Sequence, residues 1–354
     1  MRGQRQARPR ELWLLFAQTV TIVLALLFVY ALVAPGGGFG REQPAAIDGQ
    51  LSFSASLRRI MPSVVSIRTG GSDGPLADGF GIGSGVIVDA AGHILTNHHV
   101  IENSDDITVI TGQGLSLDAE VLGSDPATDL AVLRVFPEEP LAAASFQDRR
   151  APVQVGDVVM AVGSPYGLPS TASLGIVSAV GRSALGLSRY EHFIQTDAAI
   201  NHGSSGGALT NVHGELVGIS TALFAREHQG VYAQGIGFAI PAELAEAAYA
   251  QILAHGKFRR GWIGLRLGDI NPLSARFSNV VDAWLVKGVE PNSPSERAGI
   301  EPGDLLLAIN GRPPSQISFI EEATGELLRP GSEIELSLQR STDLFAVTVR
   351  VYER

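Results

Sequence analysis

Three short segments carry side chains that together could perform acyl transfer: His98-His99 within Leu95–Val100, Asp129 within Thr128–Ala131, and Ser204-Ser205 within Gly203–Gly207. A serine hydroxyl is a weak nucleophile until a base takes its proton, and the base needs an acid to hold its tautomer and stabilise its imidazolium. Glycines around the serine pair allow a tight turn whose backbone N–H groups face a developing oxyanion, worth about 10²–10³ in rate per donor. Each segment alone has a plainer reading: a glycine-flanked serine is a turn and an aspartate before an apolar strand is a cap. Neighbouring histidines point in different directions from a strand, and no spaced carboxylate completes a metal site, so no metal is expected. The chain has no cysteine, which excludes a thiol nucleophile, disulfides and Cys-based zinc. No cofactor is expected.

Such a site needs a scaffold of many strands. Short alternating apolar runs such as Val64–Ile67, Gly85–Val88 and Leu130–Val135 recur to about Ile240, punctuated by Gly, Asp and Pro. With 41 Gly, 19 Pro and 6 % aromatic residues the composition suits strands joined by tight turns and disfavours an all-helical chain. Pro241–Leu244 then opens an Ala-rich helix ending at His255-Gly256, which marks a domain boundary. The remaining stretch has its own strand and turn signals, including Asn310-Gly311 between apolar runs, and is expected to fold separately. A length of 354 residues agrees with two folded domains, and 45 % apolar residues supply cores for both.

The N-terminus differs in kind. Leu12 to Val33 is 22 residues without a charge, about 33 Å as a helix against a hydrocarbon core of about 30 Å. This is longer than the apolar region of a cleaved signal peptide, and Leu32-Val33-Ala34 is a mediocre cleavage site. Four Arg precede the run. Without residues 1–11 the balance falls from 26 basic and 36 acidic to 22 and 35, or −13. That asymmetry predicts a cytoplasmic N-terminus, a single-pass inner-membrane anchor and a periplasmic remainder, and it argues against a nucleic-acid partner.

The context of the three segments resembles the HtrA family of serine proteases. Gly83–Val88, Gly92–Val100, Gly123–Leu133 and Gln195–Leu209 carry the resemblance, which runs from about residue 55 to the C-terminus. It implies that His99 is the general base, that Asp129 orients it and that Ser205 attacks, with the N–H groups of Gly203 and Ser205 as oxyanion donors. It also implies a mainly β fold, with a trypsin-like double six-stranded β-barrel followed by a PDZ domain. The family usually has Asn where this chain has His98, and Asn where it has Ser204. Trypsin-like enzymes that bind a basic side chain carry a carboxylate six positions before the nucleophile; here Ala199 stands there, beside Ile200, and implies a shallow apolar specificity pocket. Asp197 is read as a buried or capping carboxylate.

Arg260–Leu265, Asn292–Ile300 and Gly303–Gly311 resemble a PDZ domain, which binds a C-terminal peptide as an added strand and captures its carboxylate with loop N–H groups. The capturing loop would be Trp262, Ile263, Gly264 and Leu265; Phe319 and Ala323, spaced i and i+4, would line the groove from its helix, with plain core the alternative for Phe319. The expected order is a cytoplasmic segment 1–11, a transmembrane helix 12–33, a flexible tether 34–50, a protease domain 51–258 and a PDZ domain 259–354. One anchor, one protease and one PDZ domain is the DegS-like layout within the family. By that resemblance Arg182, in the segment Gly181–Tyr190, senses the peptide-bound PDZ domain, and the assembly is a homotrimer. The substrate is the periplasmic part of a membrane-bound anti-sigma factor, cut in the envelope stress response when C-terminal peptides of misfolded outer-membrane proteins activate the enzyme. The alternatives are a general periplasmic quality-control protease and a catalytically inactive peptide-binding scaffold.

Overall fold

The computed structural model describes residues 9–33, 52–70, 81–104, 106–164, 170–183, 185–223, 235–269, 282–323 and 325–353. The expected tether 34–50 lies outside these. Residues 1–52 and 53–354 form two compact units. In the first, Pro9–Val33 is one 25-residue helix with exposed Trp13, Phe16, Ile22, Leu24 and Tyr30. Among the described residues no helix is long and apolar enough to cross a membrane.

In the second unit a short helix, Ser54–Ile60, leads into β1 (Val64–Gly70), β2 (Gly81–Ile87), β3 (His93–Thr96), β4 (Asp106–Ile110), β5 (Ser116–Asp118), β6 (Glu120–Asp125) and β7 (Leu130–Arg134). They form a seven-stranded antiparallel sheet in the order β5-β4-β1-β2-β3-β7-β6. Where a six-stranded barrel was expected, the sheet has, among the described residues, seven strands and no hydrogen-bonded closure. The reason is Ala119, the one residue between β5 and β6, where the chain leaves β4 and turns to pair β7. The two edges are thereby joined through the chain itself. Ile67, Ile87, Ile94, Val109 and Leu133 fill the inside of this sheet at 0 % exposure, as the alternation of each strand requires.

The next strands, β8 (Val158–Gly163), β9 (Thr171–Arg182), β10 (Phe193–Thr196), β11 (Ala208–Thr210), β12 (Leu216–Leu223) and β13 (Gly237–Pro241), close a barrel of six. Ala242–His255 is the expected helix; Pro241 serves as its cap while ending β13, and Gly256 stops it at φ +69°. Its buried face, Leu244, Ala245, Ala248 and Ile252, joins a core shared by both halves.

The C-terminal sheet consists of β14 (Gly261–Trp262), β15 (Leu265–Asp269), β16 (Trp284–Val289), β17 (Leu305–Ile309), β18 (Glu333–Arg340), β19 (Asp343–Arg350) and β20 (Tyr352–Glu353). Five strands run β15-β16-β17-β18-β19, with β14 paired to β20. Val286, Leu306, Leu336 and Val351 centre a separate core. Asn310 and Gly311, at φ +49° and +75°, make the tight turn their types suggest. They do not join two strands of a hairpin: the chain returns through a single bridge, Ile309 to Arg312, and then a short helix at Phe319–Ala323, while β17 takes β18 as its partner.

Candidate active site

His99 lies in a four-residue helix, His98–Ile101, that follows the fully buried β3. Asp129 ends the turn just before β7 in a left-handed conformation, φ +59°, unusual for a residue with a side chain. The surroundings over-determine that conformation. Its carbonyl accepts from Asn97 Nδ2 at 3.0 Å and the His98 N–H at 3.2 Å. Its carboxylate accepts from the His99 N–H at 3.0 Å, from His99 Nδ1 at 2.8–2.9 Å, and from the Thr221 hydroxyl at 2.6 Å. The contact to Nδ1 assigns the proton to that nitrogen, which leaves Nε2 with a lone pair.

Ser205 sits in the turn after β10. Its hydroxyl donates to the Thr221 carbonyl at 2.8 Å, and among the described residues it makes no hydrogen bond to His99. Thr221 therefore touches both partners, the aspartate through its hydroxyl and the serine through its carbonyl. Ser84 of β2 fastens the same turn to the first sheet: its N–H donates to the Ser205 carbonyl at 2.8 Å and its hydroxyl to the Gly203 carbonyl at 2.7 Å. A Cβ on Gly206, at φ +83°, would lie 2.1 Å from the Ser84 carbonyl, so only glycine fits there. Within the turn the N–H groups of Ser204, Gly206 and Gly207 are taken by backbone carbonyls at 2.7–3.0 Å. Those of Gly203 and Ser205 have no partner among the described residues.

The two unusual residues have distinct roles in packing. His98 Nδ1 is 3.2 Å from the Ser124 hydroxyl, and Ser204, 7 % exposed, accepts weakly from the Asn201 N–H at 3.4 Å. Ala199 lines a cavity of about 120 Å³ with Gly163, Thr171, Ser173 and Ser220. Ile200, one residue on, turns inward and packs in the barrel core with Ile194, Leu209 and Ala239. Asp197 accepts from the Ile176 N–H at 2.7 Å and so ties the end of β10 to β9. Among the described residues no group of three or more His, Cys, Asp or Glu is placed to hold a metal ion. Thr221 and Ser84 are the site neighbours that sequence reasoning missed, because each comes from a strand remote from the three segments; Asn97 stands within the first segment, but its bond to the Asp129 carbonyl is visible only in the fold.

A second concavity, about 740 Å³, lies along β15, an edge strand of its sheet. Trp262, Ile263, Gly264 and Leu265 line it, as does Phe319, whereas Ala323 is fully buried in the shared core. Gly264 is at φ +80°, and a Cβ there would meet the Ser293 side chain at 2.1 Å. Ser188 and Tyr190, from the loop between β9 and β10, line the concavity as well. Leu187 and Ser188 also line a cleft of about 550 Å³ over His98, His99 and Asp129. Two contacts tie this loop region to the C-terminal sheet and its helix: the Arg260 guanidinium lies 4.6 Å over the Tyr190 ring, and His192 stacks on Phe319 at 4.5 Å and 13°. Burial lowers the His192 pKa, against the opposing charge of Glu243. Arg182 stands at the end of β9, exposed, with Nε donating to Gln195 Oε1 at 2.8 Å.

This architecture is that of a trypsin-like serine peptidase carrying a C-terminal peptide-binding module. Residues 83–219 match the trypsin-like peptidase domain family and residues 285–340 match the PDZ domain family. Serine endoprotease DegS of Escherichia coli (strain K12) is 38 % identical over 307 residues, 85 % of this chain and 86 % of DegS. Periplasmic serine endoprotease DegP of Salmonella typhimurium is 39 % identical over 319 residues, 89 % of this chain but only 65 % of DegP. The solved structure of the HtrA-type protease AlgW with tripeptide superposes with a TM-score of 0.77 at 37 % identity, covering 86 % of this chain and 97 % of AlgW. The chain belongs to the HtrA family of serine endoproteases.

Proposed function

We propose that this protein is a membrane-anchored regulatory endopeptidase of the periplasm. Ser205 attacks the scissile carbonyl while His99 Nε2 takes the Oγ proton and Asp129 holds the imidazolium that results. To attack, the Ser205 hydroxyl must leave the Thr221 carbonyl and turn toward His99. The N–H groups of Gly203 and Ser205 receive the oxyanion, His99 returns the proton to the departing amine, and water then hydrolyses the acyl-enzyme by the same route. The small pocket at Ala199 suits a small apolar residue before the cut. The groove beside Trp262–Leu265 takes the free C-terminus of a misfolded outer-membrane protein as an added strand. AlgW has been solved with a tripeptide and with a decapeptide, which supports peptide binding here.

The observation that carries the regulatory reading is the shared wall. Ser188 lines both the groove and the cleft over His99 and Asp129, so a peptide in one alters the surroundings of the other. A peptide activates only by binding the active arrangement more tightly than the resting one. Arg182, in the same loop region and tied to Gln195, is the residue through which the resemblance would route that signal. The physiological substrate in this reading is the periplasmic part of an anti-sigma factor.

The test is cleavage of such a domain, and of casein, by a fragment beginning near residue 43, with and without peptides ending in an aromatic residue. Stimulated, selective cleavage is expected; casein degraded equally well without peptide would make the protein a general quality-control protease. Residues 12–33 serve as the anchor, and deleting residues 1–34 should move the protein from the membrane to the soluble fraction. Sedimentation of the same fragment as a monomer would refute the expected trimer.

A further inference from the structure

We infer that Glu191 is a positioning residue, whose carboxylate holds loop 185–190 in the shape that lets peptide binding reach the catalytic cleft. This rests on the regulatory reading above. Glu191 is 9 % exposed, and its carboxylate accepts the backbone N–H of Leu185 at 2.6 Å, of Leu187 at 2.6 Å and of Ser188 at 3.3 Å. Among the described residues no Lys, Arg or His lies within ion-pair distance of it. A buried charge must be compensated, and here backbone amides of a single loop do so through charge-assisted bonds, which are stronger than neutral ones. The dependence runs both ways: the loop cannot change shape without stripping the carboxylate, and without the carboxylate nothing gathers those three N–H groups.

The neighbours of Glu191 give this local fact a reach. Tyr190 and His192, on either side of it, both touch the PDZ domain, through Arg260 and Phe319 respectively. Glu191 turns back into its own loop, while Tyr190 packs against the core shared with the PDZ domain and His192 is exposed beside Phe319. The Tyr190 N–H donates to the Ala127 carbonyl at 3.0 Å, in the turn that presents Asp129. The Ser188 hydroxyl donates to the Tyr190 carbonyl at 3.0 Å and ties the loop to this segment. One short segment, 190–192, thus fixes the loop, the PDZ contact and the approach to Asp129 together.

The experiment uses the full-length chain carrying Glu191→Gln or Glu191→Ala. The first readout is the ratio of cleavage at saturating aromatic-ended peptide to cleavage without peptide. The second, in a Ser205→Ala background, is the rate at which trypsin nicks after Arg189 within the loop, which does not depend on the protein's own activity. The ratio is expected to fall by about threefold to thirtyfold. The Gln variant, which keeps one acceptor oxygen, should show the smaller loss. Nicking should accelerate in both, and Gln alone suffices should Ala prevent folding. Nicking at the parent rate overturns the assignment. Accelerated nicking with an unchanged ratio overturns the link from loop to peptide. A parent protein that shows no stimulation refutes the regulatory reading instead, and the nicking rate still decides whether Glu191 holds the loop.

Discussion

Arg260→Ala removes the most heavily used side chain at the junction of the two folded parts. Its guanidinium pairs bidentately with Asp125 at 2.6 and 2.7 Å, its Nε donates to the Ala323 carbonyl at 2.7 Å, and it lies 4.0 Å over Phe258 and 4.6 Å over Tyr190. The Arg260 and Asp125 side chains are 13 % and 7 % exposed, so the pair is largely desolvated. Removing one partner of such a pair costs about 3–5 kcal/mol, because a buried charge is left behind. Asp125 keeps the N–H and hydroxyl of Thr128, which argues for the lower end. Losing two cation–π contacts of about 0.5–1 kcal/mol each moves the sum back up. For a protein of this size that is a fall in Tm of about 6–12 °C, readable by calorimetry. Replacing both partners, Asp125→Leu with Arg260→Met, should recover most of the loss, since the desolvation of both charges disappears with them. A single variant within about 2 °C of the parent, or a double variant as unstable as the single, would refute the reasoning.

Ser205→Ala should lower cleavage by about 10⁶-fold while leaving peptide binding, measured by fluorescence, intact. Thr221→Val removes the hydroxyl that donates to Asp129 at 2.6 Å and should cost about tenfold to a hundredfold in kcat, with KM little changed. The third prediction concerns acid. Burial pushes the Asp89 carboxyl up, but the Tyr249 hydroxyl and His93, both at 2.5 Å, outweigh it and hold its pKa at about 2. A carboxyl depressed on folding contributes stability above its unfolded value near 4 and loses it as pH falls toward 2. Tyr249→Phe should therefore shrink the difference in urea midpoint between pH 5 and pH 2.5, and an unchanged difference would show that Tyr249 does not hold Asp89.

Much of the fold was legible because strands announce themselves locally. The alternating runs at Leu130–Val135 and Gly85–Val88 read as strands and fall on β7 and β2 to within one residue at the end, and the helix from Ala242 stops at the expected glycine, since caps and alternation act over a few residues. The count of strands in the first sheet was not legible. It turns on the bend at Ala119, and nothing in that residue's type reports which neighbour each side will pair with. The Asn310-Gly311 turn was legible as a turn but not as one that precedes a helix, because the partner of β17 comes from more than twenty residues later.

A His, an Asp and a Gly-flanked Ser in the sequence by itself pointed to acyl transfer, and the longer segments around them resemble those of HtrA proteases. Residue types and short spacings carry that information. What the tertiary structure decided is how distant segments meet. Thr221 reaches both Asp129 and Ser205, Ser84 fastens the nucleophile turn, and Glu191 gathers the amides of the loop between groove and cleft. Hydrogen bonds of this kind depend on angles and distances between strands far apart in the chain. The same serine, threonine or glutamate elsewhere on these sheets would be an ordinary surface residue.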